Sequence, residues 1–81
     1  MSDSFKRKGI SVIASFSKTG KVMPIYFRGY DDDDSFPVRV EVKSSDKDFW
    51  KITFNCTYQQ EDIRREIKLY YWFKENIWTL D

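Results

Sequence analysis

Val38, Val40 and Val42 fall on one side of an extended chain, and Arg39, Glu41 and Lys43 fall on the other. Strict alternation of this kind marks a strand with one face in the core and one in water. The same period returns in residues 49–58, where Trp50, Ile52, Phe54, Cys56 and Tyr58 alternate with Phe49, Lys51, Thr53, Asn55 and Thr57. The first set is expected to point inward, which makes Cys56 a small buried hydrophobe rather than a nucleophile. Upstream, residues 10–17 (ISVIASFS) are apolar and β-branched, and SKTGK follows, with Gly20 supplying the positive φ that a tight turn often needs. A second strand then runs through residues 22–30, with Pro24 near its start, a placement suited to an edge or a strand entry.

Residues 59–73 satisfy two periods at once. Ile63, Ile67, Tyr70 and Tyr71 have helical spacing, whereas Ile67, Leu69, Tyr71 and Phe73 have strand spacing, and Arg65 interrupts the latter if the strand begins at Ile63. The aromatic run LYYWF, followed by KEN and IWTL, favours a strand, a turn and a returning strand; a helical turn near residues 60–64 is the alternative at the start. Five or six short antiparallel strands are too few for two large stacked sheets but enough for one sheet that curls on itself. The predicted fold is therefore all-β: a small antiparallel meander barrel or strongly curled, SH3-like sheet. Val38, Val40, Val42, Trp50, Ile52, Phe54, Cys56, Leu69 and Tyr71 form its expected core. Residues 1–9 form a flexible basic tail in this division, and residues 10–81 a single β domain.

VIASFSKTGKVMPIYFR near the start, with FNC, REIKLYYWF and IWTL near the end, resembles a group of small proteins of Gram-positive bacteria, chiefly clostridia. Members share an opening strand, a Gly-Lys turn, a Pro-x-x-Phe-Arg strand and a later Phe-x-Cys strand that leads into a final hairpin with Trp. The resemblance covers about two thirds of the chain and departs in the middle, at DDDD and SSDKDFW. It implies a β fold and, because the group has no assigned function, no mechanism.

With 81 residues, one compact domain is the natural division. A hydrophobic fraction of 41%, nearly half of it aromatic, disfavours disorder. Cys56 has no second cysteine to pair with, so the core must rest on ring packing. The net charge of +1 divides into +5 over residues 1–30 and −4 over residues 31–81, too mild an asymmetry for a dedicated nucleic-acid binder. No apolar run approaches the roughly 18 residues that span a bilayer, and the basic start is not followed by an export-type apolar segment. A cytoplasmic protein with no membrane partner is expected.

Four consecutive aspartates at 31–34 invite a calcium site, but a calcium loop of the EF-hand type needs glycine at its sixth position and glutamate at its twelfth. Here those positions are Phe36 and Val42. Adjacent carboxylates also alternate in direction along an extended chain, and charge on a loop keeps sheet edges from pairing. No metal and no cofactor are expected. The chain contains no histidine, which removes the commonest general base and the usual zinc sites, and its isolated glycines form no phosphate loop. Enzymatic activity is not expected.

If Ile67, Leu69, Tyr71 and Phe73 point inward, Arg64, Lys68, Tyr70 and Trp72 form an outward row. Trp, Tyr and Arg are the residues that dominate protein-binding hot spots, and this row is the candidate partner surface, for another protein or for self-association. The alternative is a weak single-stranded nucleic-acid binder, in which rings stack on bases at about 1–3 kcal/mol each and Lys6, Arg7 and Lys8 assist. A purely structural role has Tyr70 and Trp72 packing beneath a neighbouring loop.

Overall fold

The computed structural model describes residues 9–29 and 37–80; the basic tail through Lys8 and the aspartates at 31–34 lie outside them. Six antiparallel strands follow one another as a meander: β1 (Ser11–Phe16), β2 (Val22–Arg28), β3 (Val38–Lys47), β4 (Lys51–Gln60), β5 (Ile63–Trp72) and β6 (Ile77–Leu80). The described residues contain no helix. Ile10 donates its N–H to the Trp78 carbonyl at 2.9 Å, drawing the first strand to the last and nearly closing the sheet into a barrel. The two competing periods of residues 59–73 resolve as strand. β4 continues to Gln60, two residues turn the chain, and Ile63 pairs directly with Gln60.

Register decides which face is buried. Phe54 stands opposite Leu69, and Leu69 opposite Leu80; Cys56 faces Ile67, and Tyr71 faces both Ile52 and Trp78. This odd-numbered row of β5 joins Val22, Phe27, Val40, Phe54, Cys56 and Trp78 in one core. Rings fill it as the composition requires: Trp78 lies 5.6 Å from Phe54 and 5.0 Å from Tyr71, and Phe27 meets Tyr58 edge-on at 5.3 Å.

Two irregularities curl the sheet. The β1–β2 register steps from Ile13↔Tyr26 to Ala14↔Pro24, which leaves Ile25 as an extra residue, and the β3–β4 register steps across Lys43. Bulges of this kind bend a strand and increase its twist. Among the described residues, β2 and β3 pair at Tyr26↔Arg39 and Phe27↔Val38, and the ladder stops there. Pro24 is buried rather than peripheral, and it lies beyond that short ladder, where β3 asks for no N–H.

Each hairpin uses the turn chemistry available to it. Gly20 sits at φ 84 in a turn closed by Ser17, whose N–H bonds the Lys21 carbonyl and whose hydroxyl accepts the Lys21 N–H. Asn76, at φ 56, closes the β5–β6 turn by donating its N–H to Trp72 O, and its side chain accepts the Tyr71 hydroxyl at 3.0 Å. Glu61 occupies the same left-handed region at φ 57, without the short polar side chain that makes Asn tolerable there. Glu61→Gly should therefore raise the unfolding free energy by about 0.5–1 kcal/mol, the left-handed penalty less the entropy glycine loses. Urea denaturation of the two proteins checks this.

Candidate functional site

Arg64, Lys68, Tyr70 and Trp72 share the outward face of β5, as their parity against Leu69 and Tyr71 dictates. Their partners across the β4 ladder are Gln59, Asn55, Thr53 and Lys51. The row nevertheless divides into two environments. At one end the Arg64 guanidinium donates to Glu41 Oε1 at 3.3 Å and to Thr57 Oγ1 at 3.1 Å, and Lys43 Nζ lies 3.6 Å from the same Glu41 oxygen. These groups are well exposed, so each pair contributes about 0–1 kcal/mol. Arg64 is thus engaged within the sheet. Lys68 borders a shallow depression of about 460 Å³ that Lys43, Asn55, Thr57 and Glu66 also line.

The other end is aromatic. Tyr70 and Trp72 are half-buried with ring centroids 6.2 Å apart, and Lys51 holds its ammonium 5.1 Å from the Trp72 ring and 5.7 Å from the Tyr70 ring. Trp72 Nε1 donates to Thr79 Oγ1 at 2.9 Å, and Thr79 is itself buried. Trp72 was expected to stand at the surface with its ring open to a partner. It is instead pinned to β6 by the hydrogen bond to Thr79, with part of its surface covered.

Beside this end projects the β3–β4 turn, whose conformation is set by one side chain. Asp48 Oδ1 accepts the N–H groups of Trp50 (2.7 Å) and Lys51 (2.9 Å), and its other oxygen meets Lys51 Nζ at 3.3 Å. The backbone donors at Trp50 and then Lys51 hold the Asp48 carboxyl below its ordinary value of 3.8. Trp50, expected in the core with Ile52 and Phe54, is 63% exposed, and Phe49 is 85% exposed. The alternation does not reach Trp50: β4 begins at Lys51, and a residue inside a turn does not inherit the face of the strand that follows. Phe49 and Trp50 pack perpendicular to each other at 5.4 Å, and Trp50 O accepts the Phe73 N–H at 3.1 Å, tying the tip to the end of β5. Lys47 lies 5.7 Å from the Phe73 ring. The available sequence signal is Asp48 directly before Phe49 and Trp50, the composition of a side-chain-capped turn.

Cys56 is buried in the core, as its period implied, and burial pushes its thiol up to about 11 from an ordinary 9.0. The folded state thus binds the thiol proton more tightly than the unfolded one. That contribution to stability is complete below pH 9 and is lost as pH rises toward 11. The denaturation midpoint of the wild type should fall more steeply over this interval than that of Cys56→Ala, and thiol reagents should react at neutral pH only as the protein unfolds.

Comparison with protein-family models, with curated proteins and with solved structures finds no match to this chain.

Proposed function

We propose that this chain is a small non-catalytic binding module of the cytoplasm that presents the β3–β4 tip and the adjoining end of β5 to a protein partner. The observation that carries this is the exposure of Phe49 and Trp50, two large rings at the end of a hairpin whose backbone is held by the Asp48 side chain. A backbone already held by its own hydrogen bonds loses little freedom on binding, and aromatic anchors of this kind supply most of the energy of protein interfaces. Lys51, Tyr70 and Trp72 form the polar and aromatic surround on the outward face, with Lys68 and Arg64 farther along it, and Lys47 lies beside Phe73 on the other face of the same end. A stacked nucleic base would have to displace Lys51 from the faces of Tyr70 and Trp72, which favours a protein over single-stranded nucleic acid.

The test compares partner capture and stability in Phe49→Ala and Trp50→Ala. Each should weaken capture by about 2 kcal/mol or more, as truncated hot spots do. Because both rings are at the surface, the unfolding free energy should change by no more than about 0.5 kcal/mol. The affinity should vary little with salt, whereas each phosphate neutralised on a single strand would add a log–log slope of about −0.7. Capture that survives Trp50→Ala and Phe49→Ala, or that nuclease abolishes, rules the protein-binding role out.

A further inference from the structure

The edge of β1 differs from the edge of β3. Where β3 leaves β2 it carries Glu41, Lys43, Asp46 and Lys47, a bulge at Lys43, and Pro24 across the gap, which are the devices that keep an exposed strand from pairing with another chain. β1, SVIASF, carries no charge and no proline, and its bulged partner residue lies on β2, leaving β1 itself regular. Among the described residues, β1 stands at the end of the strand order, and β6 touches it at Ile10↔Trp78. That pairing is antiparallel, so β6 gives way to the β5–β6 turn just as β1 begins.

The direction of each backbone group follows from the Ile10 bond. Ile10 points its N–H away from β2 toward Trp78, and direction alternates along a strand, so Val12, Ala14 and Phe16 turn their N–H and C=O groups to that same open side. Ser11, Ile13 and Ser15 then bond to β2, opposite Arg28, Tyr26 and Met23. Pro24 supports this phase independently: it has no N–H, and it stands opposite Ala14, a residue that by this alternation asks β2 for none.

We propose that β1 is a self-pairing edge, on which a second copy of this chain docks antiparallel along residues 12–16 about a twofold axis at Ala14. Ala14 exchanges both backbone bonds with its counterpart, and Val12 and Phe16 of each copy exchange theirs with Phe16 and Val12 of the other. Phe16, 65% exposed although it belongs by parity to the core face, gains cover against the other copy's half-buried Val12. Ile13 and Met23, both exposed on the outer face, gather from the two copies on one side of the join. An uncharged edge offers no Coulombic preference for an acidic or basic strand, whereas its own sequence satisfies every pairing at once, and a twofold contact consumes both free edges and closes. The tip bearing Phe49 and Trp50 takes no part.

Sedimentation of the full chain up to about 200 µM, the weak end of specific association, should show a monomer–dimer equilibrium and nothing larger. Phe16→Lys, at an exposed side chain, should raise the dissociation constant at least tenfold, with a monomer spectrum by circular dichroism identical to wild type. Ala14→Pro removes an outward N–H and should do the same. Hydrogen exchange should slow with protein concentration at the amides of Val12, Ala14 and Phe16, and not at Ser11, Ile13 or Ser15. A monomer at every concentration, assemblies beyond a dimer, or a dimer that leaves those three amides or the Phe16→Lys variant unaffected would each overturn the proposal.

Discussion

Leu69→Ala is expected to remove about 2–5 kcal/mol of unfolding free energy, through lost transfer energy and the cavity left behind. Leu69 has no exposed surface and stands between two paired strands, opposite Phe54 on one side and Leu80 on the other. Strands pinned on both flanks cannot collapse easily into the space, which places the cost toward the upper half of that range. Domains carry roughly 0.05–0.15 kcal/mol of stability per residue, and one this small has little to spare. A large fraction of Leu69→Ala molecules should therefore be unfolded without denaturant. Leu69→Met, which nearly conserves volume, should cost less than about 1.5 kcal/mol. Chemical denaturation monitored by circular dichroism measures both, and a loss below about 1 kcal/mol for the alanine variant would mean that the space around Leu69 refills.

The strands and the core face were legible because period two is a local property. Val38, Val40 and Val42 announced β3, and the LYYWF run announced β5, whose parity in turn placed Arg64, Lys68, Tyr70 and Trp72 on one outward row. Local pattern fails where it changes phase. The extra residue at Lys43 resets the alternation of β3, so Ser45 and Lys47 come to face Phe54 and Ile52, which no count from Val38 would reveal. Trp50 escapes the alternation for a related reason, because the Asp48 cap ends the period between Lys47 and Lys51. The interactions that turn the row into a site depend on neighbours fixed by folding: Lys51 reaches the Tyr70 and Trp72 rings across the β4–β5 ladder, and Thr79 meets Trp72 across β5–β6. Barrel closure through Ile10 and Trp78 joins opposite ends of the chain, beyond the reach of any window of sequence.

The three tryptophans should separate cleanly by environment, with Trp78→Ala costing about 3–5 kcal/mol and rivalling Leu69→Ala as the most damaging change. Trp78 is 8% exposed, stacks on Phe54, tilts against Tyr71, and offers the carbonyl that Ile10 bonds. Losing its ring empties the space beneath the Ile10–Trp78 bridge, so the seam should loosen before the rest of the sheet. Hydrogen exchange at Ile10 should accelerate in Trp78→Ala more than exchange at Phe54 or Leu69, whose ladders remain paired on both sides. Trp78→Phe keeps an aromatic partner for Phe54 and Tyr71 and should recover more than half of the loss. Trp72→Ala should fall between Trp78→Ala and Trp50→Ala, because its ring is half-buried and its deletion leaves the buried Thr79 hydroxyl without that donor, a loss on the order of 1–3 kcal/mol. If Trp78→Ala proved no more costly than Trp50→Ala, the ring would not be holding the barrel closed, and the core would have to rest on Phe54, Leu69 and Phe27 alone.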